Sequence, residues 1–255
     1  MKKKSIILFC LVLATLVQSC REEPQTPEVP QTTRATVSFD ALWDGQPFQM
    51  QQVYVDDFGN RLRTDKFMNY VSLIKLVKED GSEVLVKDFM LVDFYNENIV
   101  SAEIPAGKYT ALKFGIGVPR DNNKDQDPAQ YPSSSPLSVA GSQGMFWTWN
   151  TGYIFAKFEG KCDTTGTEGQ ELLTPIAIHT GDDFSYREYT SEPFSLQLDG
   201  TTHAFAIHLN VDRIFSPLNG NDVNIALDAI THGSTNPDLT NNFMDNFLAA
   251  LSFQP

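Results

Sequence analysis

Short apolar runs, each closed by Gly, Pro, Asn, Asp or Ser, recur along most of this chain, and that rhythm constrains its fold more than any other feature. Runs of this length, rich in Val, Ile, Tyr, Phe and Thr between turn residues, read as β-strands. They fall at Thr36–Phe39, Gln52–Asp56, Tyr70–Val77, Glu83–Val92, Ile99–Ile104, Tyr109–Ile116, Phe146–Phe158, Pro175–His179, Phe194–Leu198, His203–Val211 and Val223–Ala226. Asp80-Gly81 suits the turn of a hairpin between the third and fourth runs. Pro105-Ala106-Gly107-Lys108 suits a tight turn into Tyr109. The pattern predicts an all-β fold, an antiparallel β-sandwich with long loops and one short C-terminal helix. That helix starts after Asn236-Pro237, where Asn caps and Pro fits the first helical position. Leu239, Phe243, Phe247 and Leu251 follow every four residues as one apolar stripe, expected to pack across the end of the sandwich. Residues 119–144 read as one long polar loop, and loops of that length are usually functional or mobile.

The stretch Met145–Gly160 concentrates the aromatic residues and two of the chain's tryptophans. Strand alternation puts Trp147 and Trp149 on one face, with Phe146, Thr148 and Asn150 on the other. Indole is costly to expose and carries a single donor, so the segment either crosses a core or lines a site.

The N-terminus reads as a processed leader. Lys2, Lys3 and Lys4 precede an apolar run, Ile6–Val17, that is too short for a stable bilayer span. The run ends Val17-Gln18-Ser19-Cys20, the form of a bacterial lipoprotein cleavage site. Residues 1–19 are thus read as a signal peptide and Cys20 as the lipidated first residue of the mature chain. Residues 20–34, with Pro24, Pro27 and Pro30, read as a flexible tether, and 35–255 as a single β domain. Several acyl chains on Cys20 give firm membrane attachment, at about 0.8 kcal/mol per buried methylene. The expected location is the cell envelope, anchored at the outer membrane on its periplasmic or surface face.

The chain has 19 basic and 32 acidic residues, a net charge of −13, and loss of the leader lysines makes it more acidic still. That argues against nucleic acid as a partner. Cys10 lies in the leader and Cys20 takes the lipid, so Cys162 is left without a disulfide partner and a cysteine-only metal site is excluded. A metal would need histidine, methionine, carboxylates or a modified residue. His179 opens His179-Thr180-Gly181-Asp182 after an apolar strand, and His232 opens His232-Gly233-Ser234 before the helix. Both stand at element ends, where side chains converge on open sites. His203 and His208 read as structural, with Ile207, Leu209 and Val211 as the core face. Asp121–Asp127 begins like a calcium loop but has Gln126 in place of the glycine and Pro132 in place of the final acid, which favours a solvated loop. No nucleophile elbow, phosphate loop or dinucleotide fingerprint occurs, so a non-enzymatic role is expected.

Several segments together resemble the MbnP family of copper-binding proteins. They are Asn69–Leu76, with its Tyr-hydrophobic-Ser strand, and Ile104–Val118, with its Pro-Ala-Gly-x-Tyr turn and Ile-Gly-Val strand. Met145-Phe146-Trp147-Thr148-Trp149 with Gly152-Tyr153 and Glu159-Gly160 is the most specific, followed by His179-x-Gly181. The acidic Glu22 and Glu23 after Cys20 resemble the export signal of Bacteroidetes lipoproteins. The resemblance implies a β-rich envelope protein in copper capture or homeostasis, binding copper as Cu(I) through histidines and a kynurenine made from tryptophan. A dihaem peroxidase-like partner is implied for that modification. His179 and His232 are carried over as metal ligands, and Trp147 and Trp149 as kynurenine precursors. Where the family pattern has a histidine near the first strand, this chain reads Ala41-Leu42-Trp43-Asp44. A rival reading is a metal-free binding lipoprotein that holds a glycan or protein partner with an exposed platform from Trp43, Trp147, Trp149 or Tyr153.

Overall fold

A computed structural model describes residues 31–255 except 125, 150, 151, 218 and 219. The signal peptide, Cys20 and all but the end of the tether lie outside the described residues. Strand β1 (Thr32–Trp43) begins inside the segment read as tether, because Thr33 is buried and pairs with β6. In chain order there follow β2 (Gln46–Pro47), β3 (Val53–Val55), β4 (Arg61–Lys78), β5 (Glu83–Asp93), β6 (Ile99–Pro105), β7 (Gly107–Ile116) and helix α1 (Arg120–Asn123). Then come β8 (Phe146–Trp147), β9 (Gly152–Asp163), β10 (Thr174–Gly181), β11 (Arg187–Thr190), β12 (Leu196–Leu198), β13 (Thr202–Asn210) and α2 (Val211–Ile214). The chain closes with β14 (Ile230–His232), α3 (Pro237–Ala249) and β15 (Leu251–Gln254). Among the described residues no helix is long and apolar enough to cross a membrane.

The smaller sheet runs β15-β13-β1-β2, with β6 also on β1. The larger runs β11-β7-β4-β9-β10-β14, with β3 and β5 on β4, β8 on β9 and β12 on β7. Most pairs are antiparallel, but β1 runs parallel to β13 and β10 parallel to β14. The Pro105–Lys108 turn carries the chain from one sheet to the other, with Gly107 at φ 154. The Asp80-Gly81 hairpin forms, with only Gly81 at positive φ (83): Gly81 N–H donates to Lys78 O at 2.9 Å and the Asp80 carboxylate accepts from Ser82 N–H at 2.9 Å.

Two apolar clusters lie on opposite faces of the large sheet. The main core fills the space between the sheets with Val37, Phe205 and Ile207 from one side and Leu62, Val71, Ile74, Phe158 and Ile178 from the other. Phe243 and Phe247 of α3 press into it against Phe158 and Phe67. Burial of each of these phenylalanines contributes roughly 1.5–3 kcal/mol. The second cluster, on the outer face, joins Met68, Tyr70, Val118, Leu137, Met145, Trp147, Tyr153 and Phe155. Strand β9 is therefore buried on both faces, which erases the alternation a one-sided strand shows.

That double burial explains why Phe146–Phe158 reads as one strand in sequence. The chain reverses after β8, which pairs Phe146 with Tyr153 and Trp147 with Gly152. Val223–Ala226 is not a strand: Asn224 Oδ1 accepts from Ala226 N–H at 3.0 Å and folds the segment into a turn. Leu251 leaves the helical stripe because β15 pairs it with Leu209. Residues 119–144 are docked rather than loose, with the Tyr70 hydroxyl donating to Pro136 O at 2.8 Å and the Tyr153 hydroxyl to Leu137 O.

Candidate metal centre

The outer face of the large sheet places Met68, Lys157, His179 and His232 in one row across β4, β9, β10 and β14. The register pairs Met68 with Lys157, Lys157 with His179, and His179 with His232. The neighbours Phe158, Ile178 and Thr231 point the other way, toward the core and α3. Strand alternation thus fixes which residues share the outer face.

The two imidazoles meet with ring centroids 4.7 Å apart and planes at 81°. The His179 side chain is largely enclosed, and its Nε2 lies 2.7 Å from Glu159 Oε1. A carboxylate there accepts the Nε2 proton and leaves Nδ1 with the lone pair. Burial pushes His179 below the usual histidine range, the Lys157 ammonium pushes the same way, and Glu159 opposes both. Neutral imidazole is the form that ligates a metal. Lys157 is itself buried and donates to Gly144 O at 2.9 Å, pinning the 119–144 segment beside the histidines. His232 is held by its backbone N–H, which donates to Thr235 Oγ1 at 2.9 Å.

Trp147 packs on the glycines that follow the two histidines. Its six-membered ring lies over Gly181 and Gly233, so closely that a Cβ at Gly181 would fall 2.4 Å from Cζ3 and one at Gly233 3.1 Å from Cη2. The glycines that follow the two histidines are the seat of this indole. Asp182 Oδ2 borders the same seat, 2.9 Å from where a Gly233 Cβ would stand, and is buried without a hydrogen-bond partner. Its Oδ1 accepts from Lys124 Nζ at 2.9 Å. The Asp182 backbone sits at φ 67, ψ 154, a region populated almost only by glycine, and such strain collects at ligand clamps and active sites.

Trp149 does not share a strand face with Trp147. It follows β8 in a turn and is 67% exposed, against 5% for Trp147, yet the two rings remain in contact at 5.5 Å. Trp43 is buried and stacked on Tyr54 at 4.5 Å, and Tyr153 is fully buried. His203 and His208 lie on β13 of the other sheet, near Asp199 and Asp40, and do not join the site. Asn123 and Asp127 of the calcium-like stretch are spent on structure: Asn123 Oδ1 accepts from Tyr153 N–H and Asp127 Oδ1 from Ala129 N–H. Among the described residues no three His, Cys, Asp or Glu side chains group as a ready metal site.

Sequence reasoning named both histidines and both tryptophans but missed Glu159, Lys157 and Asp182. The first two alternate with Tyr153 and Phe155, a signal masked by the aromatic run. Asp182 was visible only as the last residue of His-x-Gly-Asp. The donors suit a soft or borderline metal, with two imidazoles, one kept neutral by its surroundings and oriented by a carboxylate. A third donor must come from outside the His, Cys, Asp and Glu set.

The family model described as MbnP matches residues 32–235. Among solved structures, MbnP from Methylosinus trichosporium is similar, with a TM-score of 0.51 and 15% identity over 72% of this chain and 78% of that one. At that identity the likeness speaks to the fold alone. No curated protein matches.

Proposed function

This chain belongs to the MbnP family, and on that premise we propose that His179 and His232 bind copper, as Cu(I), in a lipoprotein of the cell envelope. The observation that carries the reading is the meeting of the two imidazoles at 4.7 Å, with the Trp147 ring seated on Gly181 and Gly233, which follow the two histidines in the chain. Imidazole suits copper, and Glu159 fixes the His179 ring from behind as an outer partner of a ligating histidine does. Ring opening of Trp147 to kynurenine supplies an amine nitrogen and a ketone where an indole has neither. Trp147 is the precursor in this reading, because its ring is seated on the glycines that follow the two histidines, while Trp149 is exposed. Gly181 and Gly233 orient the ring, and Lys157 and the 119–144 segment exclude water. The role is capture or homeostasis of copper by coordination, without turnover and without nucleic acid. Cys20 carries the lipid anchor at the outer membrane, and a dihaem peroxidase-like protein is the modifying partner.

The rival glycan platform has less support, since Trp43, Trp147 and Tyr153 are buried and Trp149 stands alone. The test is the intact mass and copper content of protein purified from its native host. The expected result is a tryptophan modification mapped to Trp147 and about one copper per chain, lost in His179→Ala and in His232→Ala. Unmodified, metal-free native protein sinks the reading.

A further inference from the structure

The contact between an exposed and a buried tryptophan at this site has a chemical consequence of its own. Trp149 faces solvent, 67% exposed, and its ring lies 5.5 Å from that of Trp147 at an interplanar angle of 45°. Trp147 in turn reaches the notch between Gly181, at the end of the strand that carries His179, and Gly233, the residue after His232. A macromolecular oxidant cannot touch a ring so enclosed. It can touch Trp149.

We propose that Trp149 is the surface port of an electron-transfer relay into this site. A one-electron oxidant outside the protein, of higher potential than indole, takes one electron from Trp149 and is itself reduced by one electron. Trp147 then passes one electron to the Trp149 radical cation. Trp149 returns to its closed-shell form and the radical cation rests on Trp147, with no proton lost in the hop. The inference rests on the reading of Trp147 as the residue oxidised at this site.

Two features of the surroundings favour that resting place. The Asp182 carboxylate, paired through Oδ1 with Lys124 Nζ, leaves its unpartnered Oδ2 at the same Gly233 notch as the Trp147 ring edge, and that oxygen's negative partial charge favours a neighbouring cation. The two fully buried phenols of the same cluster, Tyr70 and Tyr153, are poor sinks. Tyr70 and Tyr153 donate their hydroxyls to the peptide carbonyls of Pro136 and Leu137, which are not bases. Burial pushes both phenols well above the usual tyrosine range. Oxidising a phenol at neutral pH requires its proton to leave, and here it has no acceptor. Neither of these phenols therefore drains the oxidising equivalent from the tryptophan pair.

The experiment is flash–quench oxidation of the metal-free protein by photogenerated tris(bipyridine)ruthenium(III), followed by transient absorption and by peptide mapping of the products. In the wild type the expected outcome is a tryptophan radical followed by oxidation products at Trp147. In Trp149→Phe the Trp147 products fall by an order of magnitude or more. In Trp147→Phe a radical still forms, and damage collects at Trp149. Circular dichroism of each variant confirms that the fold is kept. Equal oxidation of Trp147 in wild type and Trp149→Phe overturns the relay, as does wild-type damage confined to Trp149. If native protein carries an unmodified Trp147 while the relay runs in the flash–quench assay, the copper reading fails and the relay stands. If native Trp147 is modified but Trp149→Phe is oxidised as fast as wild type, the relay alone fails.

Discussion

Replacing Gly181 by alanine strikes the point where strand, indole and histidine depend on one another. The new Cβ would lie 2.4 Å from Trp147 Cζ3, 2.7 Å from Cη2 and 2.8 Å from the Tyr153 carbonyl oxygen. Carbon atoms pack at about 3.5–4.0 Å, so the overlap exceeds roughly an ångström. The carbonyl belongs to β9 and moves only with its strand. The indole is the softer partner, but Gly233 stands on its other contact and leaves it little room. Overpacking of this kind costs about 1–3 kcal/mol. For a domain of this size that corresponds to a loss of roughly 2–12 °C in Tm. Thermal unfolding followed by circular dichroism and by tryptophan emission measures it. Trp147→Leu removes the ring atoms that clash, so the double variant should lose less than the sum of the two singles, as expected for residues in contact. A Gly181→Ala protein that melts with the wild type and keeps its emission refutes the seating of Trp147, and strictly additive losses refute the contact.

The other expectations are simpler. Asn236→Ala should destabilise by about 1 kcal/mol in denaturant titration, because Asn236 Oδ1 accepts from Leu239 N–H at 3.1 Å to cap α3; an unchanged midpoint would mean the cap is idle. Cys162 should resist Ellman's reagent at pH 8 until the protein unfolds, since burial pushes its thiol up to about 11. The sign of its pH effect follows. The unfolded thiol, near 9.0, ionises first, so stability is intact below pH 9 and falls as pH rises toward 11. Cys162→Ala should flatten that decline, and an equally steep decline in the variant would exclude Cys162 as its cause. Lys157→Met should weaken the hold on the 119–144 segment by removing the bond to Gly144 O. Faster hydrogen exchange at residues 142–145 is the sign to look for.

The parts of this protein legible in the sequence are those whose physics is local. Strand β13 buries one face, and Phe205, Ile207 and Leu209 alternate with partly exposed His208 as a one-sided strand must. The Asp80-Gly81 hairpin and the Asn236-Pro237 helix start announce themselves because turn and cap chemistry involve only near neighbours. Strand β14 has three residues and owes its existence to a parallel pairing with β10, some fifty residues away in sequence, so no window contains its cause. The meeting of His179 and His232 is hidden for the same reason. Each histidine was visible as a candidate, but the register that sets them side by side is a property of two strands and the chain between them. Glu159 and Lys157 were hidden differently, inside a strand buried on both faces where polar residues break no pattern.

What the sequence presents as separate signatures is one steric unit in the fold. The aromatic stretch supplies Trp147, the His-x-Gly element supplies His179 and half of the notch, and His232-Gly233 supplies the other imidazole and the other half. Gly233 stands at φ 60, so a side chain there would be strained by its backbone as well as by Trp147 and Asp182. A chain that keeps both histidines but carries alanine at 181 or 233 would therefore keep the imidazole pair and lose the seat of the indole. If copper is held by two imidazoles and a group made from Trp147, the glycines are as necessary to the site as the ligands. Copper content of His179→Ala and Gly181→Ala, measured side by side on folded protein from the native host, decides this. Both should be depleted, and full loading of Gly181→Ala would show that the indole's seat is no part of the site.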